Sequence, residues 1–404
     1  MIITHPKLKI IKRTLPPAAT PISPKEILSG LKGLNRGQKE INRFESELKK
    51  YYNVNHCFLI SSGKAALTII LKAIHELHPE RNEVLIPAYT CYSVPSAIIK
   101  AGLKIKLCDI NPETLDFDHN QLTEVINNSK LKTSLLAVLP THLFGIPSDM
   151  DKLRQVIKDK GIFIVEDAAQ AMGTTVKDKK LGTLGDTGFF SLGRGKAFST
   201  VEGGIILTNN NTIADNITKQ MATISSYNML EIIKLIVFSI ILTVFMHPAL
   251  FWFPKFLPFL KLGETLFEPG FPIKKLSPFQ AGLSRNWQKK LDNMIKIRIN
   301  NTTTWANYIN SKHKIKNSKL PLLRFPIKIN NPQTLKTILS KSEHQGLGIM
   351  RTYPDSVNNI KELKQLFKIK YPNATLIAKQ LITLPVHSLL SFAEIIKIKQ
   401  IIQN

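Results

Sequence analysis

The chemistry in this 404-residue chain concentrates on one lysine. Lys196 lies in Ser191-Leu-Gly-Arg-Gly-Lys196-Ala-Phe-Ser-Thr-Val-Glu202-Gly203-Gly204, between the apolar runs 188–192 and 204–208. Both runs have the length and composition of short buried strands. A lysine on a turn between buried strands has two readings. It is a solvated loop residue, or its amine is stripped of water and attacks a carbonyl as a Schiff-base lysine. Upstream, Ile162-Phe-Ile-Val-Glu166-Asp167-Ala-Ala-Gln170 is an apolar run that ends in two carboxylates. Carboxylates at the C-terminal end of a parallel strand stand where open α/β sheets bind ligands. A third stretch, Cys57-Phe-Leu-Ile-Ser61-Ser62-Gly63-Lys64, runs from a strand pattern into a hydroxyl- and glycine-bearing helix start. Such a start offers backbone N–H groups and a positive dipole end to an anion.

A lysine for an aldehyde, a carboxylate for a pyridine nitrogen and a cup for a phosphate are the parts of a pyridoxal 5'-phosphate (PLP) site. At these residues the chain resembles the DegT/StrS-type sugar aminotransferases, PLP enzymes of fold type I, the aspartate aminotransferase fold. The resemblance is carried by Ser61-Ser-Gly-Lys-Ala-Ala-Leu67, Ile86-Pro-Ala-Tyr-Thr90 and Cys108-Asp109-Ile-Asn-Pro-Glu-Thr-Leu-Asp116. It continues through Thr141-His142-Leu-Phe-Gly145, Glu166-Asp-Ala-Ala-Gln-Ala171 and the Lys196 segment. It closes with Gln280-Ala-Gly-Leu283 and Leu384-Pro-Val-His-Ser388. It covers residues 35–395 apart from one insert. Each motif alone is modest; their order and spacing together are specific.

The resemblance implies transfer of an amino group from an amino acid such as glutamate to a keto-sugar, nucleotide-linked, in cell-surface polysaccharide or glycan biosynthesis. It implies a homodimer. Lys196 would hold the aldehyde and then move a proton as general base and acid. Asp167 would pair with the pyridine nitrogen, and Gln170 would lie against the ring or its phenolic oxygen. Ser191 would bind phosphate with Ser62 and Gly63. A lysine at 196 favours aminotransfer over the related deoxygenating dehydratases, which carry histidine there. The chain departs from the family at four places. Lys64 replaces a threonine of the cup, so it either meets the phosphate by charge or points to solvent. Cys91 stands where an aromatic covers the ring, with Tyr92 next; Tyr92 is carried as the cofactor-binding candidate. Ile273 and Lys275 stand near the positions of an asparagine and an arginine that reach the neighbouring subunit's cofactor. His142, at a strand end, is structural or a site residue. Two rivals stay open. One is a non-catalytic PLP-fold scaffold or regulator at a membrane, favoured by the departures and opposed by the joint retention of Lys196, Asp167, Gln170 and Ser191. The other is a PLP enzyme for a small amino or keto acid.

The elements that must position these groups follow from the alternation of apolar and helical patterns. Strand-like 83–87, 104–109 and 134–140 alternate with helical 94–101 and 119–128. This predicts an α/β fold whose large domain has a mostly parallel, mixed sheet with right-handed crossovers. The runs 187–192 and 204–208 follow Asp167 without a long helix, which predicts antiparallel pairing there. A long helix over 280–308 would lead to a small α+β C-terminal domain, where Arg351 and Tyr353 sit in a loop able to face substrate. The expected division is an N-terminal arm (1–34, rich in proline), a large PLP-binding domain (35–285, with an apolar insert at 230–267) and a small C-terminal domain (286–404, including the linking helix).

Within the insert, residues 235–254 contain no Lys, Arg, Asp or Glu. One membrane crossing would put the two halves of a single catalytic unit on opposite faces of a bilayer. Two crossings need about 40 apolar residues, more than the insert holds. It is therefore read as a hairpin lying on a membrane through 232–262, bent at His247-Pro248 and flanked by Lys234, Lys255 and Lys261, or as a segment buried in the fold or a dimer interface.

The net charge of +26 attracts anions, although a composition rich in Ile, Lys and Asn throughout explains it without a partner. No helix-turn-helix, RNP or zinc-finger pattern occurs, so no nucleic-acid partner is expected. Cys57, Cys91 and Cys108 read as free thiols in a reducing compartment, and no Cys/His spacing suggests a metal. Residues 1–23 have no continuous apolar run, so no secretory signal is expected. The expected location is the cytoplasm, peripherally on the inner face of the membrane.

Overall fold

The computed structural model describes residues 13–128, 133–158, 160–255, 265–309 and 319–403. Helices α1 (Pro24–Arg36) and α2 (Gln38–Tyr52) precede β1 (His56–Ile60) and α3 (Gly63–His75). Then come β2 (Glu83–Pro87), α4 (Ser93–Lys100), β3 (Lys104–Cys108), α5 (His119–Asn127), β4 (Leu135–Val138), α6 (Met150–Ile157) and β5 (Phe163–Asp167). A small ribbon of β6 (Thr175–Val176) and β7 (Lys179–Lys180) leads to β8 (Thr187–Ser191), β9 (Gly204–Thr208) and α7 (Asn211–Thr223). The insert forms α8 (Met229–Phe245) and α9 (Trp252–Lys255). The chain closes with α10 (Pro278–Leu283), α11 (Trp287–Tyr308), β10 (Phe325–Lys328), α12 (Pro332–Gln345), β11 (Met350–Arg351), α13 (Pro372–Gln380), β12 (Leu381–Leu384) and α14 (Phe392–Gln403).

Seven strands form one sheet in the order β1-β9-β8-β5-β4-β2-β3. Strands β3, β2, β4, β5 and β8 are parallel neighbours. Only β9 runs against them, paired antiparallel with both β8 and β1. The expected mostly parallel, mixed sheet is therefore present, with its reversal after Asp167. Burial explains the strand composition: β4 and β9 are buried at every position. Both faces of such a sheet are covered, so the strands read as unbroken apolar runs. A second, antiparallel sheet, β10-β12-β11, lies in the C-terminal part. One continuous core joins the two, from Ile70 and Ile206 to Ile327 and Ile382.

Two features differ from the sequence reading. The helix expected over 280–308 is two helices, because the chain turns at 284–286, where the Ser284 hydroxyl donates to the Ala281 carbonyl at 2.7 Å. The turn drops Trp287 into the core, edge-on to Tyr51 at 4.9 Å and to Phe44 at 6.0 Å. No glycine or proline marks it; the packing of Trp287 does. The expected N-terminal arm, for its part, is helical over its last residues, in α1, and its described start packs on the body. Residues 13–23 have no repeating structure, yet Leu15, Ala19, Thr20 and Ile22 are buried. His387 Nε2 donates to the Pro16 carbonyl at 2.7 Å, and the Thr14 N–H donates to the Pro248 carbonyl at 2.7 Å. Residues 1–12 of the expected arm and Lys261 lie outside the described residues.

Helix α8 is 17 residues long, and no helix among the described residues is long and apolar enough to cross a membrane. Asn228 and Glu231 cap its start reciprocally. The chain then bends at His247-Pro248, where the N–H groups of Leu250 and Phe251 both donate to the His247 carbonyl.

Gly204 pairs with Ile60 on one side and Ser191 on the other. A Cβ there would lie 2.3 Å from the Ser62 carbonyl oxygen. Flanked on both sides, the backbone has little room to yield. Gly204→Ala is expected to cost about 1–3 kcal/mol. Urea unfolding followed by circular dichroism checks this, and an unchanged midpoint contradicts it.

Candidate active site

The C-terminal ends of β5, β8 and β1 reach the same edge of the sheet. Asp167 ends β5 and lies beside Phe189 of β8. Ser191 ends β8, and Ile60 leads through Ser61 into Ser62, the N-cap of α3. The Ser62 side chain accepts the Ala65 N–H at 3.1 Å. Residues 65–71 of α3 are buried against the sheet, which fixes where its N-terminus points. That N-terminus is a place for an anion. Gly63 permits the closeness: a Cβ on it would meet the Ser191 Cβ at 2.9 Å.

Lys196 follows Gly195, whose φ of +72° is open to glycine without strain. The Lys196 N–H donates to the Gly193 carbonyl at 3.2 Å. Its carbonyl accepts from the Thr20 hydroxyl and from Arg298 Nη2 at 3.3 Å. Arg298, buried on α11, also donates to the Ala197 carbonyl at 3.2 Å. Burial lowers its pKa to about 10, so it remains a cation at neutral pH. The lysine loop is thus held from behind by the arm and by α11.

The side chains meet in two adjoining cavities of about 490 and 610 Å³. The two share Cys91, Ser93, Gln170, Arg194, Lys196 and Phe238. The smaller is also lined by Ser62, Gly63, Lys64, Asp167 and Ser191. Burial pushes the Lys196 amine below its ordinary pKa; Cys91 and Asp167 oppose that shift and Arg324 adds to it. Burial likewise raises the Asp167 carboxyl, against the Ala169 N–H at 3.0 Å and the Lys196 charge. Gln170 is held at both ends: Nε2 donates to the Tyr353 hydroxyl at 2.9 Å, and Oε1 accepts the Phe144 N–H at 3.2 Å. Lys64 stands at the rim, 3.5 Å from Glu268 and 4.5 Å from the centre of the Phe271 ring.

Tyr92 does not join this group. Its hydroxyl accepts the Asp355 N–H and donates to the Asp355 carbonyl, each at 3.0 Å, and it lines neither cavity. As N-cap of α4 it turns towards the C-terminal part, which leaves Cys91 and Ser93 facing the cavities. His142 is structural. Its Nδ1 accepts the Ser148 N–H at 3.1 Å, so Nε2 carries the proton and donates to Glu166 at 2.9 Å. Glu166 also accepts N–H groups of Gly182, Leu184 and Gly185 and is fully buried. Together they brace the end of β5 beneath Asp167. Ile273 and Lys275 line neither cavity, whereas Lys275 bridges to Ile60. Tyr353 reaches the site; Arg351 lines a separate concavity beside α12.

Arg324 was not singled out by sequence. It lines the larger cavity from the residue before β10, with Nη1 3.4 Å from the Met350 sulfur. Nothing in its surroundings, Leu323-Arg324-Phe325, marks it as a site residue. A second unpredicted group is Thr352, whose buried hydroxyl has no partner among the described residues and which lines the same cavity. A buried amine, a buried carboxylate and a helix N-terminus around one pocket match the aldehyde, pyridine nitrogen and phosphate of PLP, so the residues present fit that group.

A family model for the DegT/DnrJ/EryC1/StrS aminotransferase family matches residues 25–403. GDP-perosamine synthase of Vibrio cholerae is 32% identical over 177 residues, 44% of this chain and 46% of that protein. The spore coat polysaccharide biosynthesis protein SpsC of Bacillus subtilis is 33% identical over 184 residues, 46% of this chain and 45% of that protein. The chain spans about half the length of the curated relatives it matches. Among solved structures, Helicobacter pylori PseC, an aminotransferase involved in the biosynthesis of pseudoaminic acid, superposes with a TM-score of 0.76 at 17% identity. That match covers 97% of this chain and 98% of PseC and shows a common fold.

The charges around Lys196 make opposite demands on its proton. Only the neutral amine reacts, so its reductive methylation in protein freed of carbonyl ligands should rise as pH passes its pKa. Asp167 favours the charged form, so Asp167→Asn should move that rise to lower pH. Arg324 disfavours it, so Arg324→Met should move the rise to higher pH. Peptide mapping of methylation at Lys196 across pH reads both; shifts of the same sign contradict the arrangement.

Proposed function

This chain belongs to the DegT/DnrJ/EryC1/StrS aminotransferase family, and from that premise we propose that it is a PLP-dependent sugar aminotransferase. It moves an amino group from an amino acid such as glutamate to a keto-sugar, leaving the 2-oxo acid and an amino-sugar. The observation that carries this reading is the meeting of Lys196, Asp167 and the N-terminus of α3 at one cavity, with the lysine made less basic by burial. The names of the relatives, a perosamine synthase and a spore coat polysaccharide protein, support a role in surface glycan biosynthesis. No observation favours a non-catalytic scaffold over this reading. The division into a cofactor domain at 35–285 and a smaller domain at 286–404 is part of the proposal.

When bound, PLP supplies an electron sink that makes the α-hydrogen of the amino donor acidic. The chain does the rest. Ser62, Gly63 and Ser191, with the first N–H groups of α3, hold the phosphate. Asp167 keeps a proton on the ring nitrogen. Gln170, fixed by Tyr353 and Phe144, would lie against the ring or its phenolic oxygen. Lys196 Nζ would take the proton from the donor's α-carbon and deliver it to the carbon that carried the aldehyde, a task suited to an amine whose pKa burial lowers. Lys64, at the rim beside Glu268, adds positive charge near the phosphate.

We also propose peripheral contact with the inner face of the cytoplasmic membrane. Support comes from Ile233, Val237, Ile240 and Val244, a stripe at helical spacing on α8 that is 48%, 47%, 48% and 43% exposed, with Lys234 exposed on the same helix. An apolar face with an exposed lysine on its helix suits the plane of an anionic lipid surface. Pairing into a homodimer belongs to the same proposal; the exposed Leu28 and Leu31 of α1 give a second copy an apolar patch.

Glutamate should bleach the visible band of PLP bound to the full chain, and Lys196→Ala should lower amino transfer by at least about 10²–10⁴-fold. Turnover undiminished in that variant would falsify the assignment. The protein should float with phosphatidylglycerol vesicles, and a variant with Glu at 233, 237, 240 and 244 should stay behind. Equal flotation of the two removes the membrane contact. Light scattering on the same preparation should return twice the 45.5 kDa chain mass; a single-chain mass removes the dimer.

A further inference from the structure

We infer that the sugar acceptor is an amphiphile: a sugar joined through a phosphate to a hydrocarbon chain, with the chain lying along α8 and the phosphate at Arg324. The inference rests on the aminotransferase reading and names the carrier of its substrate.

Helix α8 is apolar all round, and its three faces have different surroundings. Ile232 and Leu235 pack on the body against Ile22, Val201, Phe279 and Leu283. Ile233, Val237, Ile240 and Val244 point outward. Phe238, Leu242 and Phe245, spaced i, i+4, i+7, line the larger cavity. The chain turns back at His247-Pro248 and adds Phe251 and Phe253 to the same wall. Opposite stand Lys196, Gln170, Arg324, Thr352 and Tyr353. The cavity above the reactive amine therefore has one polar wall and one hydrocarbon wall.

The hydrocarbon wall offers a nucleoside the faces of Phe238, Phe245, Phe251 and Phe253 for stacking and no hydrogen-bond partner for its polar edges. Residues 235–254 contain no charged side chain. Their two hydroxyls are spent inside the helix: Ser239 donates to the Ile236 carbonyl at 2.7 Å and Thr243 to the Ser239 carbonyl at 2.8 Å. The His247 ring takes the Ala249 N–H and is not among the lining residues. A base edge or a ribose placed here would lose its water and find no donor or acceptor on the described residues of this wall, which is costly for each polar group. A hydrocarbon placed here loses only its contact with water.

The polar wall has the complementary need. Among the described residues the Arg324 side chain meets only the Met350 thioether, a weak acceptor. A half-buried guanidinium at the cavity wall, with most of its donors free to meet a ligand, suits an anion of phosphate or carboxylate geometry. Arg194 stands at the junction of the two cavities, its guanidinium 6.0 Å from the centre of the Phe238 ring. A cavity of about 610 Å³ takes a sugar and the first units of a chain.

The test uses the PLP-loaded full chain and farnesyl phosphate carrying a benzophenone, with farnesol, GDP and inorganic phosphate as comparators. The expected result is saturable binding of one farnesyl phosphate per chain, with photo-crosslinks inside 235–254. Leu242→Glu, on the cavity side, should weaken binding by about tenfold or more, and Val244→Glu, on the outward side, should leave it unchanged. Arg324→Gln should weaken farnesyl phosphate by about tenfold without affecting farnesol. Binding of GDP but not farnesyl phosphate overturns the inference. So do crosslinks outside the insert, equal losses in both helix variants, or a change of Leu242→Glu from dimer to monomer. Should Leu242→Glu not fold, the crosslink map of the unaltered protein decides. The bleaching of PLP by glutamate is read in the same sample. Its absence strikes the aminotransferase reading and leaves the binding result standing; its presence without amphiphile binding strikes this inference alone.

Discussion

The arrangement depends on keeping an amine and a carboxylate out of water at the open edge of a sheet. Burial disfavours both charges, and each is the other's partial remedy: Asp167 holds the proton on Lys196, and Lys196 holds the negative charge on Asp167. Neither group is stabilised fully. An amine that gives up its proton more readily than an ordinary lysine is useful, because it can act as nucleophile and then as proton carrier. The strands around the pair are buried and close-packed, so the groups cannot relax toward solvent. Glycines at 63 and 204 let the helix start and the reversed strand come close enough to complete the pocket.

Holding the lysine in place takes elements from both ends of the chain. The Lys196 carbonyl is bound by Thr20 of the arm and Arg298 of α11. The arm is anchored in turn by His387, buried and held neutral with a pKa lowered to about 4 by desolvation, through its bond to the Pro16 carbonyl. Behind Asp167, the closed pair of His142 and Glu166 ties the end of β4 to the loop before β8. These contacts do no chemistry. They make the loop geometry a property of the whole fold, and buried hydrogen bonds of this kind are costly to break.

The insert stands apart in its physics. A helix apolar on every side has to be covered on every side. The body covers one face of α8 and the cavity takes another, while the salt bridge of Lys255 to Glu343 at 2.7 Å and the bond from Thr14 to Pro248 fasten its far end. The helix is thereby a wall of the candidate site and a surface of the molecule at once. A substrate that is itself polar at one end and apolar at the other makes use of that double role.

The alternation of strands and helices, the reversal after Asp167, and Lys196, Asp167, Ser62 and Ser191 as site candidates were all legible in the amino-acid order. The reason is locality. A buried strand shows itself as an apolar run, a helix start by its serine and glycine, and the motifs sit at strand ends that any parallel sheet brings to one edge. What only the tertiary structure decided involves partners distant in sequence. Tyr92 turned away because Asp355 receives its hydroxyl, and the helix over 280–308 broke because Trp287 packs between Phe44 and Tyr51. Arg324 and Thr352 carry no local signature, and they reach the cavity because the C-terminal sheet shares a core with the large one. The apolar insert was plain to read as apolar. That one of its faces would close over the lysine depended on a bend and two long-range contacts, which a one-dimensional pattern does not encode.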